Sequence, residues 1–482
     1  MTTDPNDPLG LRADAPLVDG LLRFLESDVT PLHTPGHKTQ THRLGPVLEG
    51  DVTLYGGVDT IRGRHGRLEA AEAKAAQLWG GDWARFSVAG STHCNQALAM
   101  SLARPGDTVV VSRMLHRSLL LGLVLAGLRP VWVSPVIDAG LGLPVGVSAD
   151  EVRRALTAHP DAKAVFLVEP SYVGTVARLE EHVEIAHAHG IPLVVDQAWG
   201  GHFGFHPDVP PHALQLGADA LVTSVHKALT GYTQSALLVA RTDRLDPDRL
   251  TRGFDATHTT SPAGQIVASI DATRALLQRD GKDLIGEAIT ISRHARERLK
   301  AVPGLVVVEA GDLPSGVRFD PTKITLSVAG TGADGVALDD DLAALGYPVE
   351  YSDRNTMVAT VTIFDDAPEI DGFVDALIDA VERHRDRRRD AHPHVAWTVQ
   401  PETVMRPRDA FFAGHETVSA DEAIGRISAE IVAPYPPGVP VLAPGERITA
   451  AALQALHDVK VDGALVRYAA DSSLRTFQVV AE

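Results

Sequence analysis

The chain has 482 residues, of which 44% are hydrophobic and 22% charged, and its formal net charge is −18. This length allows two or three domains, and the acidic balance argues against nucleic acid as the main partner. The single cysteine, Cys94, excludes an intramolecular disulfide and suits a reducing cytoplasm, where we expect the protein to act. No apolar run reaches membrane-spanning length and the N-terminus lacks a signal pattern, so no membrane association is expected.

The first part of the chain predicts one short amphipathic helix, Leu17–Leu25, followed by loops. The two histidines His33 and His37 are four residues apart, which on a helix would suggest a metal pair. Pro35 and Gly36 disfavour a helix between them, so a loop that lines a cavity is the better interpretation. We therefore expect no metal site.

Helices and short apolar strands alternate in the next part of the chain. Helices are predicted at Arg67–Trp79, from Gly90 onward, and at Ser118–Ala126, Arg178–His189, Gly264–Leu277 and Lys282–Val302. Strands are predicted at Ala84–Val88, Thr108–Val111, Val131–Ser134, Ala164–Val168, Leu193–Val195 and Ala220–Val222. This alternation predicts an α/β domain with a mainly parallel sheet and helices on both faces.

Two of these strand ends carry an acid and an amine. Asp196 follows the strand Leu193–Val195, and Lys227 follows the strand Ala220–Val222. In open α/β sheets, ligands bind beyond the carboxyl ends of the strands, so both side chains should emerge at one edge. Pyridoxal phosphate needs a lysine amine for its Schiff base and an acidic partner for its ring nitrogen, so the pair predicts this cofactor. The alternative is a helix-capping Asp and a solvated Lys.

Other polar residues at the same edge extend the predicted cofactor site. The segment Gly90-Ser91-Thr92 opens a helix and offers N–H groups and hydroxyls to a phosphate, although Ser and Thr are also common N-caps. Ser224, three residues before the lysine, could bind the same phosphate. His116 lies between a strand and a helix and could lie flat on the cofactor ring; the alternative is a loop histidine bonded to backbone. His202 is close enough to Asp196 in sequence to face the cofactor.

A different pattern begins near residue 303 and predicts a smaller α+β domain. Its strand candidates are Leu305–Glu309, Lys323–Val328 and Val349–Ile363, and its helix candidates are Gly335–Leu345 and Glu369–Arg383. The last part contains a Pro-Tyr-Pro-Pro-Gly run and predicts a third, small module. The predicted division is an N-terminal segment at 1–45, a large cofactor-binding domain at 46–302, a small domain at 303–394 and a C-terminal domain at 395–482.

Several of these motifs together resemble the Orn/Lys/Arg decarboxylase family, which has the aspartate-aminotransferase-like fold of fold type I pyridoxal phosphate enzymes. The similar segments are His33–Lys38, Gly90–Thr92, Arg113–Ser118, Asp196–His202, Ser224–Lys227, Thr259–Pro262 and Ala423–Glu446. The resemblance covers nearly the whole chain. The chain resembles a short form of this family, because it lacks room for the N-terminal wing domain of the long members. The loop at 55–63 departs from the family pattern, and in this fold it lies near the substrate.

The resemblance implies a role for each matching residue. Lys227 would carry the cofactor, Asp196 would pair with its ring nitrogen, and His116 would stack on the ring. Lys227 or His226 would return a proton to the substrate. The cofactor-binding set implied is Gly90, Ser91, Thr92, His116, Asp196, Trp199, His202, Ser224, Lys227 and, from the neighbouring subunit, Ser261. His37, Glu350 and Asp353 are candidates for substrate binding, the last two because an acidic pocket should meet the distal cation.

The implied activity is the pyridoxal phosphate-dependent decarboxylation of a basic amino acid to an amine or polyamine precursor and CO2. Arginine is slightly favoured over lysine and ornithine, because short members of the family are often arginine decarboxylases. The implied assembly is a homodimer, or a small multiple of dimers, with the active site at the subunit interface. One alternative is another enzyme of the same fold, an aminotransferase or a lyase, that keeps Asp196 and Lys227. The other is a decarboxylase homologue without catalytic activity.

Overall fold

A computed structural model describes residues 6–27, 35, 37–38, 50–54, 58–59, 66–389, 399–435, 438–461 and 465–481. Helices α1 to α13 span Pro16–Leu25, Arg67–Leu78, Gly90–Leu102, Arg117–Ala126, Ala149–Ala158, Leu179–Ala188, Pro247–Asp255, Gly264–Lys300, Gly335–Ala344, Ala367–Arg383, Pro407–Phe411, Ala420–Ala423 and Ala450–Val461. Strands β1 to β19 span Trp83–Ser87, Thr108–Ser112, Arg129–Val133, Pro135–Ile137, Pro144–Val147, Val165–Val168, Thr175–Val176, Leu193–Asp196, Ala220–Ser224, Ala236–Ala240, Val306–Val307, Arg318–Phe319, Lys323–Ser327, Tyr351–Ser352, Thr356–Thr360, His415–Ser419, Ala433–Tyr435, Leu465–Arg467 and Thr476–Val480.

The largest sheet has seven strands in the order β1-β10-β9-β8-β6-β2-β3. Neighbouring strands from β9 to β3 pair in parallel, whereas β10 is antiparallel to both β9 and β1. Asp196 at the end of β8 is in register with Val168 of β6 and Val222 of β9. The prediction of an α/β fold with a mainly parallel sheet is therefore confirmed, and the carboxyl ends of β6, β8 and β9 meet at one edge.

The sheet is buried on both faces, which explains its continuous apolar strands. In β8, Leu193 and Val195 contribute to one hydrophobic core and Val194 to another, because successive side chains of a strand point to opposite faces. Strands β8 and β9 are buried along their whole length. Burying both faces holds the strand ends, and the polar residues that follow them, in fixed positions.

Helix α8 corrects one prediction. The sequence predicted two helices with a break near residue 280, but α8 is one helix of 37 residues. Gly281 lies inside it and costs about 1 kcal/mol relative to alanine. Burial offsets this cost, because Gly281 is buried and a Cβ there would lie 3.3 Å from the Leu277 side chain. Leu276 packs in the core of the large sheet, and Leu299 packs in the core beneath the second sheet.

The second sheet has four antiparallel strands in the order β11-β13-β15-β14, with α9 and α10 against it. The segment Val349–Ile363, predicted as one strand, forms the two strands of a hairpin. The turn is fixed by Asp353, whose Oδ1 accepts hydrogen bonds from the N–H groups of Asn355 and Thr356 at 2.8 and 2.7 Å. The C-terminal part carries the pairs β16–β19 and β17–β18 and helix α13. Across the described ranges, no helix is long and apolar enough to cross a membrane.

Candidate active site

A cavity of about 1280 Å³ opens at the carboxyl ends of the parallel strands. Its walls come from three parts of the chain: the large sheet, the second sheet and the C-terminal part. Residues that represent these parts are Ser91, His116, Asp196, Lys227, Glu350 and Tyr435. The lining residues run from Ala89 to Val439, so the cavity brings together residues that are up to 350 positions apart in sequence.

Asp196 is held by a hydrogen-bond network at the end of β8. Its side chain is buried, and its Oδ2 accepts a hydrogen bond from Asn95 Nδ2 at 2.7 Å. Its Oδ1 accepts a second from the Ala198 N–H at 3.1 Å. The other Asn95 amide hydrogen reaches Ser118 Oγ at 3.0 Å. Because both carboxylate oxygens have donors, the group keeps one orientation at the cavity wall.

His116 caps the N-terminus of α4, and this contact fixes its tautomer. Its Nδ1 accepts a hydrogen bond from the Ser118 N–H at 3.2 Å and lies 2.9 Å from Ser118 Oγ. Burial lowers the pKa of His116, so the neutral ring is favoured, and a neutral ring whose Nδ1 accepts must carry its proton on Nε2. The chain Asp196–Asn95–Ser118–His116 thus connects the acid to the ring.

Lys227 lies in a partly desolvated position beside an indole. Its Nζ is 4.4 Å from the centre of the Trp199 ring. Burial lowers its pKa, while the charges of Asp196 and Glu350 act in the opposite direction. His226, which also lines the cavity, has its pKa lowered by burial and by the neighbouring Lys227 charge. An amine with a lowered pKa is a better nucleophile at neutral pH.

Another part of the cavity wall carries hydroxyls at a helix N-terminus. Ser91 Oγ and Ser224 Oγ are 2.7 Å apart, and Ser91 lies in the first turn of α3, a helix of 13 residues. Gly90 has a φ of +73°, which favours glycine, and nothing lies within 4 Å of where its Cβ would be. Thr92 is exposed and lines the same wall. Free N–H groups, hydroxyls and the helix dipole together suit a phosphate.

The part of the cavity formed by the second sheet is acidic and aromatic. Tyr172 Oη donates a hydrogen bond to the Glu350 carboxylate and lies 3.2 Å from the Glu350 carbonyl oxygen. Burial and the Glu350 charge raise the pKa of Tyr172, so the phenol keeps its proton. The Tyr172 ring meets Trp199 edge-on at a centroid distance of 5.3 Å. A carboxylate together with aromatic rings suits a planar cation.

Four predicted residues lie outside the cavity walls. His202 is buried and pairs with Asp320 at 3.0 Å, and His37 lies 3.1 Å from Asp51. Asp353, a candidate for substrate binding, fixes the hairpin turn and accepts the Tyr351 hydroxyl, and it does not line the cavity. Ser261 is exposed and hydrogen-bonds through its N–H to Thr259 Oγ1. The loop at 55–63 lies mainly outside the described residues, but Asp59 within it accepts the first two N–H groups of α2.

The sequence arguments missed four residues that the structure brings to the site: Asn95, Ser118, Tyr172 and Lys323. A signal existed for Asn95, because it stands four residues after Ser91 and therefore lies on the same face of α3. Lys323 begins β13, a strand that is buried along its whole length, and a lysine at the start of a predicted strand was a further signal. Within the described ranges, no group of three or more metal-ligating side chains lies together.

The residues present fit pyridoxal phosphate. The cavity combines an amine on Lys227, a buried and hydrogen-bonded carboxylate on Asp196, and the Ser91–Ser224 hydroxyl pair at a helix N-terminus. These are the three groups that the aldehyde, the ring nitrogen and the phosphate of this cofactor require.

Comparison with known proteins gives consistent matches. The model of the Orn/Lys/Arg decarboxylase major domain matches residues 15–312, and that of the family's C-terminal domain matches residues 391–460. The arginine decarboxylase of Halalkalibacterium halodurans is 33% identical over 97% of this chain and 98% of its own length. The crystal structure of the Francisella novicida lysine decarboxylase superposes with a TM-score of 0.81 at 18% identity, over 97% of this chain and 81% of that one. Serine palmitoyltransferase of Sphingomonas wittichii shares the fold with a TM-score of 0.56 at 16% identity, over 78% and 85% of the two chains.

Proposed function

Because the chain belongs to the Orn/Lys/Arg decarboxylase family, we propose that it decarboxylates a basic amino acid, arginine being slightly favoured, with pyridoxal phosphate as cofactor. The observation that carries this proposal is the cavity in which Asp196, Lys227 and Glu350 meet. An acid and an amine serve the cofactor there, and a second acid is available for a cationic side chain.

Pyridoxal phosphate, when bound, supplies a conjugated ring that accepts the electron pair of the bond broken at the substrate's Cα. We assign Lys227 as the residue that carries it, since its amine is desolvated and lines the cavity. Asp196 would keep the ring nitrogen charged, and Asn95 and Ala198 hold this carboxylate in place. Ser91, Thr92 and Ser224 would bind the phosphate, and His116 would lie against the ring.

Loss of CO2 leaves the electron pair of the broken bond, and a proton must be added at Cα to form a C–H bond. We assign the delivery of this proton to Lys227 or His226, which are adjacent in sequence and both line the cavity. Burial lowers the pKa of both groups, so the protonated form of each is a stronger acid than in water.

We assign recognition of the distal cation to Glu350 and exclude Asp353. The Tyr172 hydroxyl holds the Glu350 carboxylate, and the Tyr172 ring in turn contacts the Trp199 ring. A guanidinium can form paired hydrogen bonds to a carboxylate and stack on aromatic faces, whereas an ammonium is a compact point charge. This geometry supports arginine over lysine and ornithine.

The remaining expectations stay part of this proposal. They are the four-part division at 1–45, 46–302, 303–394 and 395–482, a homodimer in which Ser261 reaches the partner's phosphate site, and a cytoplasmic role in making polyamine precursors. The exposed position of Ser261 supports its proposed role. His37, whose partner is Asp51, remains a candidate on the resemblance alone.

Product analysis by mass spectrometry tests the reaction. Purified protein with pyridoxal phosphate is given arginine, lysine and ornithine in competition, with Lys227→Ala as the control. Agmatine as the main product supports arginine as the substrate. Cadaverine as the main product would instead indicate lysine, and putrescine would indicate ornithine. A keto acid instead of an amine would indicate an aminotransferase. Absence of visible cofactor absorbance together with absence of product would indicate a homologue without catalytic activity.

A further inference from the structure

Lys323 is a second lysine of the site that has no part in the mechanism given so far. It begins β13, and its side chain has no exposed surface. A fully buried lysine is rare, because removing an ammonium from water is costly unless it is paired. Its Nζ has one hydrogen bond among the described residues, to Thr360 Oγ1 at 2.8 Å.

Lys323 and Lys227 share one aromatic ring. The Lys323 Nζ lies 3.8 Å from the centre of the Trp199 indole, and the Lys227 Nζ lies 4.4 Å from the same point. The two nitrogens are therefore at most about 8 Å apart. At this distance, and with little solvent between them, two ammonium groups repel each other appreciably.

The hydroxyl of Thr360 connects the buried amine to the cavity. Thr360 lines the cavity wall, and its Oγ1 is the hydrogen-bond partner of Lys323. A hydroxyl both donates and accepts, so it can pass a proton between the cavity and an amine that has no exposed surface.

We propose that Lys323 is the proton partner of Lys227: the buried amine takes up a proton when Lys227 loses its charge and releases one when Lys227 regains it. This role rests on the proposed function, in which Lys227 must become uncharged each time it bonds to the cofactor. The exchange operates at and above the pH at which the Lys323 amine becomes neutral. There, the proton lost from the Lys227 ammonium is the one gained by the Lys323 amine, so charge is conserved within the site. Lys323 acts through Lys227 and is a positioning residue.

The charges around Lys323 agree with this role. The charged and titratable groups that act on it are Asp320, Glu350 and Lys227, and the centre of the Tyr172 ring lies 6.0 Å from its Nζ. His202 is bonded to Asp320, and Arg296 donates to the Lys323 backbone carbonyl oxygen. Burial lowers the pKa of Lys323 to about 8; Asp320 and Glu350 oppose this shift, and Lys227 adds to it. Lys227 in turn faces Asp196 and Glu350, and its charge acts on His116 and His226.

Nuclear magnetic resonance of lysine side chains tests the proposal on the full-length protein without cofactor. The chain has only eight lysines, so their ¹³Cε signals can be resolved and assigned by substitution. In the wild type, we expect Lys323 to titrate near pH 8, well below the ordinary lysine value of about 10.4.

Two variants with opposite expected effects give the decisive comparison. Lys227→Met removes the repelling charge and should raise the Lys323 midpoint by about one pH unit. Glu350→Gln removes an attracting charge and should lower it. Lys163→Met is the matched control. It changes an exposed lysine just before β6, at the end of the sheet away from the cavity, and should leave the Lys323 titration midpoint unchanged.

A Lys323 midpoint near 10.4 in the wild type would overturn the proposal even if no variant folded. An unchanged midpoint in a folded Lys227→Met protein would overturn it as well. Adding pyridoxal phosphate to the wild type should raise the Lys323 midpoint as Lys227→Met does. If the cofactor does not attach to Lys227, only this last result is lost, so failure of the proposed function and failure of the Lys323 role are distinguishable.

Discussion

Arg113 and Glu446 form a buried, two-pronged ion pair across 333 residues of sequence. Arg113 follows β2 in the large domain, and Glu446 lies in the C-terminal part, with side chains only 3% and 1% exposed. Arg113 Nη2 also donates to the Val441 carbonyl oxygen at 3.0 Å, and the Ala443 N–H donates to Glu446 Oε2 at 2.8 Å. This pair fixes the segment whose residues Tyr435 and Val439 line the cavity.

Glu446→Gln should destabilise the protein by about 3–5 kcal/mol, because it leaves the buried Arg113 charge without a partner. The measurement is the urea midpoint of unfolding. The double variant Arg113→Met/Glu446→Met should recover much of this loss. Glu416→Gln, which breaks the exposed pair with Arg426, should cost less than about 1 kcal/mol. Equal losses for Glu446→Gln and Glu416→Gln would contradict the structural role of the buried pair.

Lys227→Ala should abolish steady turnover and leave the fold intact, since the side chain reaches a cavity and supports no part of the core. Amine production is followed by mass spectrometry and folding by circular dichroism. The control is Lys163→Ala, at an exposed position. Near-normal turnover of a folded Lys227→Ala protein would remove this lysine from the mechanism.

Glu350→Gln should raise KM for arginine by about 10- to 100-fold and change kcat less, because it weakens a charge-assisted contact made before and during the reaction. Glu369 is a second exposed glutamate that lines the cavity, but it lies on α10, so Glu369→Gln is the matched control. We expect little change in that variant. If Glu350→Gln and Glu369→Gln have similar KM values for arginine, the distal cation does not bind at Glu350.

Glu169 should make stability depend on pH. Burial raises its pKa to about 8, and the hydrogen bond from the Ala177 N–H opposes this shift. The pKa of this carboxyl is near 4.3 in the unfolded chain, so between pH 4.3 and about 8 the folded state binds one proton more than the unfolded state. The protonated carboxyl therefore contributes its full stability at low pH, and this contribution is lost as the pH rises through about 8.

Glu169→Gln removes this titration and should be the more stable protein at pH 9, by up to about 4 kcal/mol. At pH 5, where Glu169 is protonated, the two proteins should differ little. Urea unfolding at both pH values measures the difference. If the difference between wild type and variant is the same at pH 5 and pH 9, the carboxyl does not titrate in this range.

The sequence predicts the large sheet well because parallel strands buried on both faces leave unmistakable apolar runs. Leu193–Val195 and Ala220–Val222 are such runs, and the residues after them reach the cavity as expected. Helix α8 was split incorrectly because Gly281 is a local signal, whereas the packing that outweighs it comes from distant residues.

The parts of the site that could not be predicted depend on contacts between distant segments. Asp353 and Glu350 are three residues apart and equally acidic, yet one fixes a turn and the other lines the cavity. The partner of Asp196 is Asn95, 101 residues away. No local pattern distinguishes such residues, because only the folded chain decides which face of a hairpin or helix meets the cavity.

The continuity of α8 has a consequence for how the protein unfolds. Its N-terminal half is packed in the core of the large sheet and its C-terminal half in the core of the second sheet. If either core unfolds, one half of α8 loses its packing, and this also destabilises the other half of the same helix. The two cores should therefore melt as one cooperative unit, with a single calorimetric transition, although they belong to separate sheets.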